Sequence, residues 1–210
     1  MRIVHRTTGL ILLGVLLSLV PIVGVPNGQA SADSVPYEMY CPGTPVGNIV
    51  LNGTTSSGIL TPAIPSQGHR FGITGYTVTF VLPAAIASAA EALGNTSIAM
   101  TLKTAFIVSG GRPALKRFHR QNIDVSLPVN VPDNGLVVAV HFPSMTVGRV
   151  RRRATQITIS QYPHVRLTMN VSGSILGLRC LTYPNDSAPS GIVNSSPSGS
   201  PVAPVIATGP

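Results

Sequence analysis

The sequence predicts an all-β protein: an antiparallel β-sandwich, immunoglobulin-like or related, with one short helix and a closing disulfide. Three observations predict it. Apolar residues recur at every second position in five separate runs, turn residues separate the runs, and two cysteines, Cys41 and Cys180, bracket them. Period-two alternation marks a strand with one buried face. Several such strands at regular spacing, divided by Gly, Pro, Asn and Asp, fit a sandwich or barrel.

The chain opens with a segment that reads as an export signal. Arg2, His5 and Arg6 form a positive start, an apolar run follows from Leu10 to Val25, and Gln29-Ala30-Ser31-Ala32-Asp33 supplies small residues for cleavage between Ala32 and Asp33. The alternative is an uncleaved membrane anchor, but a span needs about 20 apolar residues. No transmembrane segment is expected after cleavage. Export would place Cys41 and Cys180 in an oxidising compartment, so a disulfide is the expected state. Neither cysteine has the Cys-x-x-Cys spacing of a redox or zinc site.

The strands follow. Tyr76, Val78, Phe80 and Leu82 are apolar at every even position, and Ile98, Met100, Leu102, Phe106 and Val108 repeat this with Thr101 and Lys103 facing the other way. Ile123 to Val131 is apolar at odd positions, Leu136 to Phe142 at even positions, and Val165 to Val171 at odd positions. Gly110-Gly111-Arg112-Pro113, Pro132-Asp133-Asn134-Gly135, Tyr162-Pro163 and Ser172-Gly173 read as turns between them. One segment dissents: "LPAAIASAAEALGNT" starts a short helix at Pro83, spaces Ile86, Ala89, Ala90 and Leu93 along one face, and ends at Gly94. The expected domain runs from 33 to 183. The stretch 184–210, rich in Pro, Ser and Gly and without periodicity, reads as a disordered tail.

Catalytic signatures are missing from this sequence. Between the cysteines there are three carboxylates, Glu91, Asp124 and Asp133, too few and too scattered to suggest a glycosidase pair. His69, His119, His141 and His164 have no metal-ligand spacing, so no metal and no cofactor are expected. No Gly-x-Ser-x-Gly elbow and no phosphate-cradling Gly-x-x-x-x-Gly-Lys-[Ser/Thr] occurs. Nucleic acid is not an expected partner, because only Phe118 interleaves aromatic surface with basic residues. Asn52, Asn95, Asn170, Asn185 and Asn194 match the N-glycosylation pattern.

The chain carries 14 Lys and Arg against 6 Asp and Glu, and its basic residues are clustered. In "MTVGRVRRRATQITI" an unbroken strand would bury Arg149, Arg151 and Arg153 on the face of Met145 and Val147. Unpaired buried charge costs several kcal/mol per ion, so the strand must break. Gly148 is the expected break, with Gly148–Ala154 a connection that presents Arg149, Arg151, Arg152 and Arg153 to solvent. Lys116, Arg117 and Arg120 form a second cluster in a polar connection between Gly110 and Ile123. Guanidinium pairs well with phosphate and carboxylate. A solvated loop that blocks edge pairing is the bland alternative.

In layout the sequence resembles a family of exported actinobacterial β-rich proteins of unknown function. The resemblance rests on "YEMYCPGTPVG", "GHRFGITGYTVTFVLP", "ALGNTSIAM", "VPDNGLVVAV", "FPSMTVGRV" and "TQITI", spread over about Tyr37–Cys180. It implies a secreted or cell-envelope β-sandwich and transfers no functional residues. The chain departs from that layout in its two basic segments. The functional expectation is an exported binding or structural protein that takes an anionic envelope component, an acidic glycan, phospholipid head group or teichoic-type polymer, through Arg149, Arg151, Arg152, Arg153, Lys116, Arg117 and Arg120. A carrier of lipid or another small apolar ligand is the alternative, and a hydrolase is a more remote one.

Overall fold

A computed structural model describes residues 35–56, 58–184 and 190–210, without the side chains of 115–118. The expected signal segment 1–32 and its cleavage point at Ala32 and Asp33 lie outside the described residues. The chain order is β1 (Val35–Thr44), β2 (Gly47–Thr55), β3 (Ile59–Thr61), β4 (Arg70–Thr74), β5 (Thr77–Leu82), α1 (Ala84–Ala92), β6 (Ser97–Ser109), β7 (Gly111–Arg112) and β8 (Leu115–Ser126). It continues with β9 (Leu136–His141), β10 (Met145–Val150), β11 (Ile157–Gln161), β12 (His164–Val171), β13 (Ser174–Pro184), β14 (Gly191–Val193) and β15 (Val205–Gly209).

The strands make two antiparallel, sandwich-like sheets. The large one has 11 strands in the order β15-β11-β6-β12-β13-β1-β2-β5-β9, with β14 on β2 and β8 on β6. The small one runs β3-β4-β10-β7. β6 is the longest strand, with 13 residues, and its length lets it serve three partners. Its first half pairs with β12 and its second half with β11 on one edge, while β8 runs along the other. One apolar cluster takes Phe71, Ile73, Val147 and Val150 from the small sheet and packs them with Phe80, Leu102, Phe106 and Leu167 from the large one.

The alternating runs of β5, β6, β9 and β12 are buried on the face their periodicity indicates. The Ile123–Val131 run holds as strand only to Ser126, and Val129 is exposed. The helix is displaced on its axis from the expected face. Ala87 and Ala90 are buried, Ile86 is half-buried, and Ala89 and Leu93 face solvent. Its end is as the sequence indicates. Gly94 takes a φ of 78°, its N–H reaches the Glu91 carbonyl at 2.7 Å, and the Asn95 N–H reaches the Ala90 carbonyl at 3.1 Å. This pair of bonds satisfies carbonyls that the last turn would otherwise leave open.

Cys41 and Cys180 form the disulfide and join β1 to β13 over a sequence separation of 139. For a loop of this length, chain entropy gives about 4–5 kcal/mol of stabilisation. The pair lies on the inner face, with Cys41 fully buried.

The expectation of a disordered tail is corrected for the residues described. Gly191–Val193 pairs with β2, and Val205–Gly209 pairs with β11. Ile206 and Ala207 have no exposure. The Gly58 N–H bonds the Ile206 carbonyl at 3.0 Å, so β15 also ties the large sheet to the chain entering β3. The segment before it is anchored by Gln161 N–H to the Pro204 carbonyl and by Val202 N–H to the Thr182 carbonyl, both at 2.8 Å. Composition suggested disorder because 190–204 shows no alternation. The segment is ordered because its backbone bonds go to strands already in place.

The interior holds a small polar cluster around Tyr37, Tyr76, Thr104 and Gln161. Tyr76 Oη donates to Gln161 Oε1 at 2.6 Å, and the Tyr76 ring packs on Phe106 and Phe142. Tyr37 is fully buried, with its Oη set against the side chain of the same Gln161. Burial pushes the Tyr37 phenol up out of its ordinary range, and it pushes Tyr76 up as well, with neighbouring Tyr37 adding to the shift.

Two outcomes are expected. Ile206→Ala should cost about 2–5 kcal/mol in urea unfolding, as for a large aliphatic side chain removed from a core. A loss within error would mean that β15 does not close the core. Both phenols should hold their protons in the folded state after they ionise in the unfolded chain near pH 10. Their stabilisation is therefore full below about pH 10 and is lost as pH rises through the folded values, at up to about 2.7 kcal/mol per pH unit for the two together. Tyr37→Phe should make that alkaline loss shallower and, by removing the contact with buried Gln161, cost about 1 kcal/mol at neutral pH. Superimposable stability–pH curves would contradict this.

Candidate anion-binding site

The route by which Arg149 reaches solvent differs from the expected one. β10 does not break at Gly148 but continues to Val150. Met145 faces Ile73 and Thr146 faces Gly72, whereas Gly148 faces Phe71, so Val147 is an extra residue on β10. A bulge of this kind moves the following residues by one position and exchanges their faces. Val147 and Val150 are both buried, and Arg149 between them is exposed. The basic connection begins only at Arg151, where the Ala154 N–H closes a turn onto the Arg151 carbonyl at 3.1 Å.

The ladder then sets Arg149 directly opposite two more arginines. Its partner on β4 is Arg70, and its partner on β7 is Arg112. Arg70, Arg149 and Arg112 form one line across three adjacent strands, and all three are exposed. Adjacent strands lie about 4.8 Å apart, and like charges in directly opposed positions destabilise a sheet. Opposite charge nearby would be the usual compensation. The stretches 59–82, 105–115 and 142–160, which build this surface, contain no Asp or Glu.

Arg151 and Arg152 extend the line. The Arg151 backbone N–H bonds the Gly110 carbonyl at 2.9 Å, and its Nε donates to the Gly111 carbonyl at 2.9 Å. The first bond fixes the backbone and the second the guanidinium, and the residue stays exposed. Gly68, Arg112, Arg149, Val150, Arg151 and Arg152 line a shallow cleft of ≈ 310 Å³. A second cleft of ≈ 410 Å³ lies between Arg70, Arg112 and Arg149 on the other side of the line.

Glycines allow the three strands to come this close. A Cβ on Gly148 would stand 2.6 Å from the Arg112 carbonyl oxygen, one on Gly72 would stand 2.2 Å from that of Met145, and one on Gly111 would meet the Phe71 ring at 2.8 Å. Gly148 and Gly111 immediately precede Arg149 and Arg112. The sequence thus sets these two arginines next to a residue that lets the backbone dock.

Of the residues expected to act, Arg149, Arg151 and Arg152 come together. Arg153 is exposed in the adjoining turn and lines neither cleft. The expected connection holding Lys116, Arg117 and Arg120 is corrected to a strand, because all three lie in β8 along the edge of β6. "LKRFHRQN" shows no clean alternation, and its order comes from the long partner strand. The side chains of Lys116 and Arg117 lie outside the described residues. Arg120 stands opposite Lys103 in the large sheet and takes no part in either cleft. Sequence reasoning missed Arg70 and Arg112. The signal for both was an arginine in a short glycine-flanked segment, "GHRFG" and "GGRP".

The arrangement can hold phosphate or carboxylate oxygens between guanidiniums whose fork matches them. It offers no nucleophile with an oriented base. His141 Nδ1 lies 2.9 Å from Thr77 Oγ1, but their strands β5 and β9 carry no carboxylate to orient the ring. Among the described residues, no group of three or more His, Cys, Asp and Glu could hold a metal ion, and no helix is long and apolar enough to cross a membrane. No protein-family model, no curated protein and no solved structure matches the chain.

Proposed function

We propose that this is an exported, non-enzymatic binding protein of the cell envelope or extracellular space, and that it holds an anionic envelope component on the Arg70–Arg149–Arg112 line. The single observation that carries this reading is that line itself: three arginines in register, extended by Arg151 and Arg152, on a surface built without a carboxylate. A folded domain gains nothing in stability from such a line, so a ligand that neutralises it is the economical explanation. Export is supported by the N-terminal segment and by the disulfide, which is the form expected outside a reducing cytosol. The layout-level resemblance to exported actinobacterial proteins points the same way.

The shared chemistry of the ligand is a run of phosphate or carboxylate oxygens. Three probes separate its sources: phosphatidylglycerol vesicles for a lipid head group, a glycerol-phosphate oligomer for a teichoic-type polymer, and an oligogalacturonate for an acidic glycan. At least one should bind the purified protein at low salt. The combined change Arg112→Ser and Arg149→Ser should weaken that binding about tenfold or more, and raised salt should weaken it in the unaltered protein. No binding to any of the three, or no probe whose binding the paired change and raised salt both weaken, would overturn the proposal.

A further inference from the structure

A second cationic line crosses the outer face of the large sheet. Arg179 of β13 stands opposite Arg166 of β12, Arg166 stands opposite Lys103 of β6, and Lys103 stands opposite Arg120 of β8. Four basic residues on four neighbouring strands therefore occupy one register line, about 14 Å long at the ordinary strand spacing. Arg120, Arg166 and Arg179 are exposed, and Lys103 is half-buried. The inward neighbours of the line, among them Leu102, Val165, Leu167 and Leu178, are buried in the core, so the face is rigidly backed.

The register line beside it is neutral and rich in hydrogen-bonding groups. Thr168 stands opposite Thr101, and Thr101 opposite Asn122. Thr101 Oγ1 donates to Asn122 Oδ1 at 3.0 Å, and Arg120 Nε donates to the same oxygen at 3.2 Å. Asn122 thereby holds the end of the cationic line against the hydroxyl line. On β12, two residues from Arg166 and on the same face, His164 is exposed and its ring stacks on Tyr162 with centroids 5.0 Å apart. The carboxylate carried by this part of β8, Asp124, stands opposite Ala99, four residues along β6 from Lys103.

We infer that this face is a separate binding surface for a linear acidic polysaccharide, one carrying a carboxylate on successive sugar units and lying across the strands. The strand spacing is close to the advance of one extended pyranose unit, so each unit can meet one cation. Guanidinium matches carboxylate in a paired geometry. The hydroxyls and amide of the neighbouring line suit a polyhydroxylated chain, and the stacked Tyr162–His164 pair offers a ring surface beside Arg166, on the side away from that line. A single-stranded nucleic acid would want aromatic platforms repeated along the cationic track, and this track has none between Arg179 and Arg120. This surface shares no residue with the Arg70–Arg149–Arg112 line, so either can fail without the other.

The test is calorimetry of the purified protein with a galacturonate hexamer, its monomer, a neutral galactose oligomer and a single-stranded oligodeoxynucleotide. The hexamer should bind at least about tenfold more tightly than the monomer or the neutral oligomer. Lys103→Thr with Arg166→Thr should remove about tenfold or more of that affinity, while Arg112→Ser with Arg149→Ser leaves it unchanged. Threonine suits a strand and relieves the like-charge contact, so the fold should persist. In the unaltered protein, bound hexamer should also protect Lys103 from acetylation, read by mass spectrometry. The inference is overturned if the hexamer binds no better than its monomer, if the oligodeoxynucleotide binds as tightly or more so, if Lys103 stays fully reactive, or if the Arg112/Arg149 variant loses the same affinity. The last outcome would assign the glycan to the site already proposed.

Discussion

Cationic side chains are held in register by the antiparallel ladder, and the backbone gives them no freedom to move apart. Opposed residues on paired strands have Cβ atoms about 4.5–5.5 Å apart, and only side-chain rotation can widen the separation of their charges. In water the repulsion between two such charges is of order 1 kcal/mol, and it grows where protein excludes solvent. A sheet surface ordinarily meets this by alternating signs. Here two lines, Arg70–Arg149–Arg112 and Arg179–Arg166–Lys103–Arg120, place like charges on consecutive strands instead. A bound anion would offset this repulsion on either line.

The remainder of the structure can be understood as the frame that sustains this arrangement. The disulfide ties β1 to β13, the strand that carries Arg179. β15 binds the edge of the large sheet and reaches Gly58, at the entrance to the small one. The Val147 bulge turns Arg149 outward without breaking β10, so the arginine keeps both ladder partners. Gly72, Gly111 and Gly148 let the backbones of β4, β7 and β10 close over the Phe71 ring. Each device costs little alone, and together they make the guanidinium positions properties of the backbone.

The half-buried strands were legible because each carries its own record of burial. Tyr76 to Leu82, Ile98 to Val108, Leu136 to Phe142 and Val165 to Val171 alternate whatever their neighbours are. The helix end at Gly94 and the cystine were legible for similar reasons, one local and one chemical. Register is a relation between strands, and no single segment records it. The opposition of Arg149 to Arg70 and Arg112 therefore could not be read from "VGRVRRR", and a break at Gly148 was a reasonable solution to the burial problem that the bulge in fact solves. β15 failed to announce itself because its order depends on bonds to β11 and Gly58, made by a segment whose composition resembles a linker. The first half of β8 failed for the same reason, as a polar strand defined by its partner.

The central claim is that the Arg70–Arg149–Arg112 line is an unneutralised anion site, and linkage to thermal stability tests it most directly. The unfolding midpoint would be followed in sodium chloride and in tripolyphosphate at matched ionic strength. The account predicts that tripolyphosphate raises the midpoint further than chloride does, in a saturable way, by about 2–4 °C for each kcal/mol of linkage. The added rise should shrink when Arg112 and Arg149 are replaced by serine. Identical midpoints in the two salts, or an unchanged rise in the variant, would contradict it.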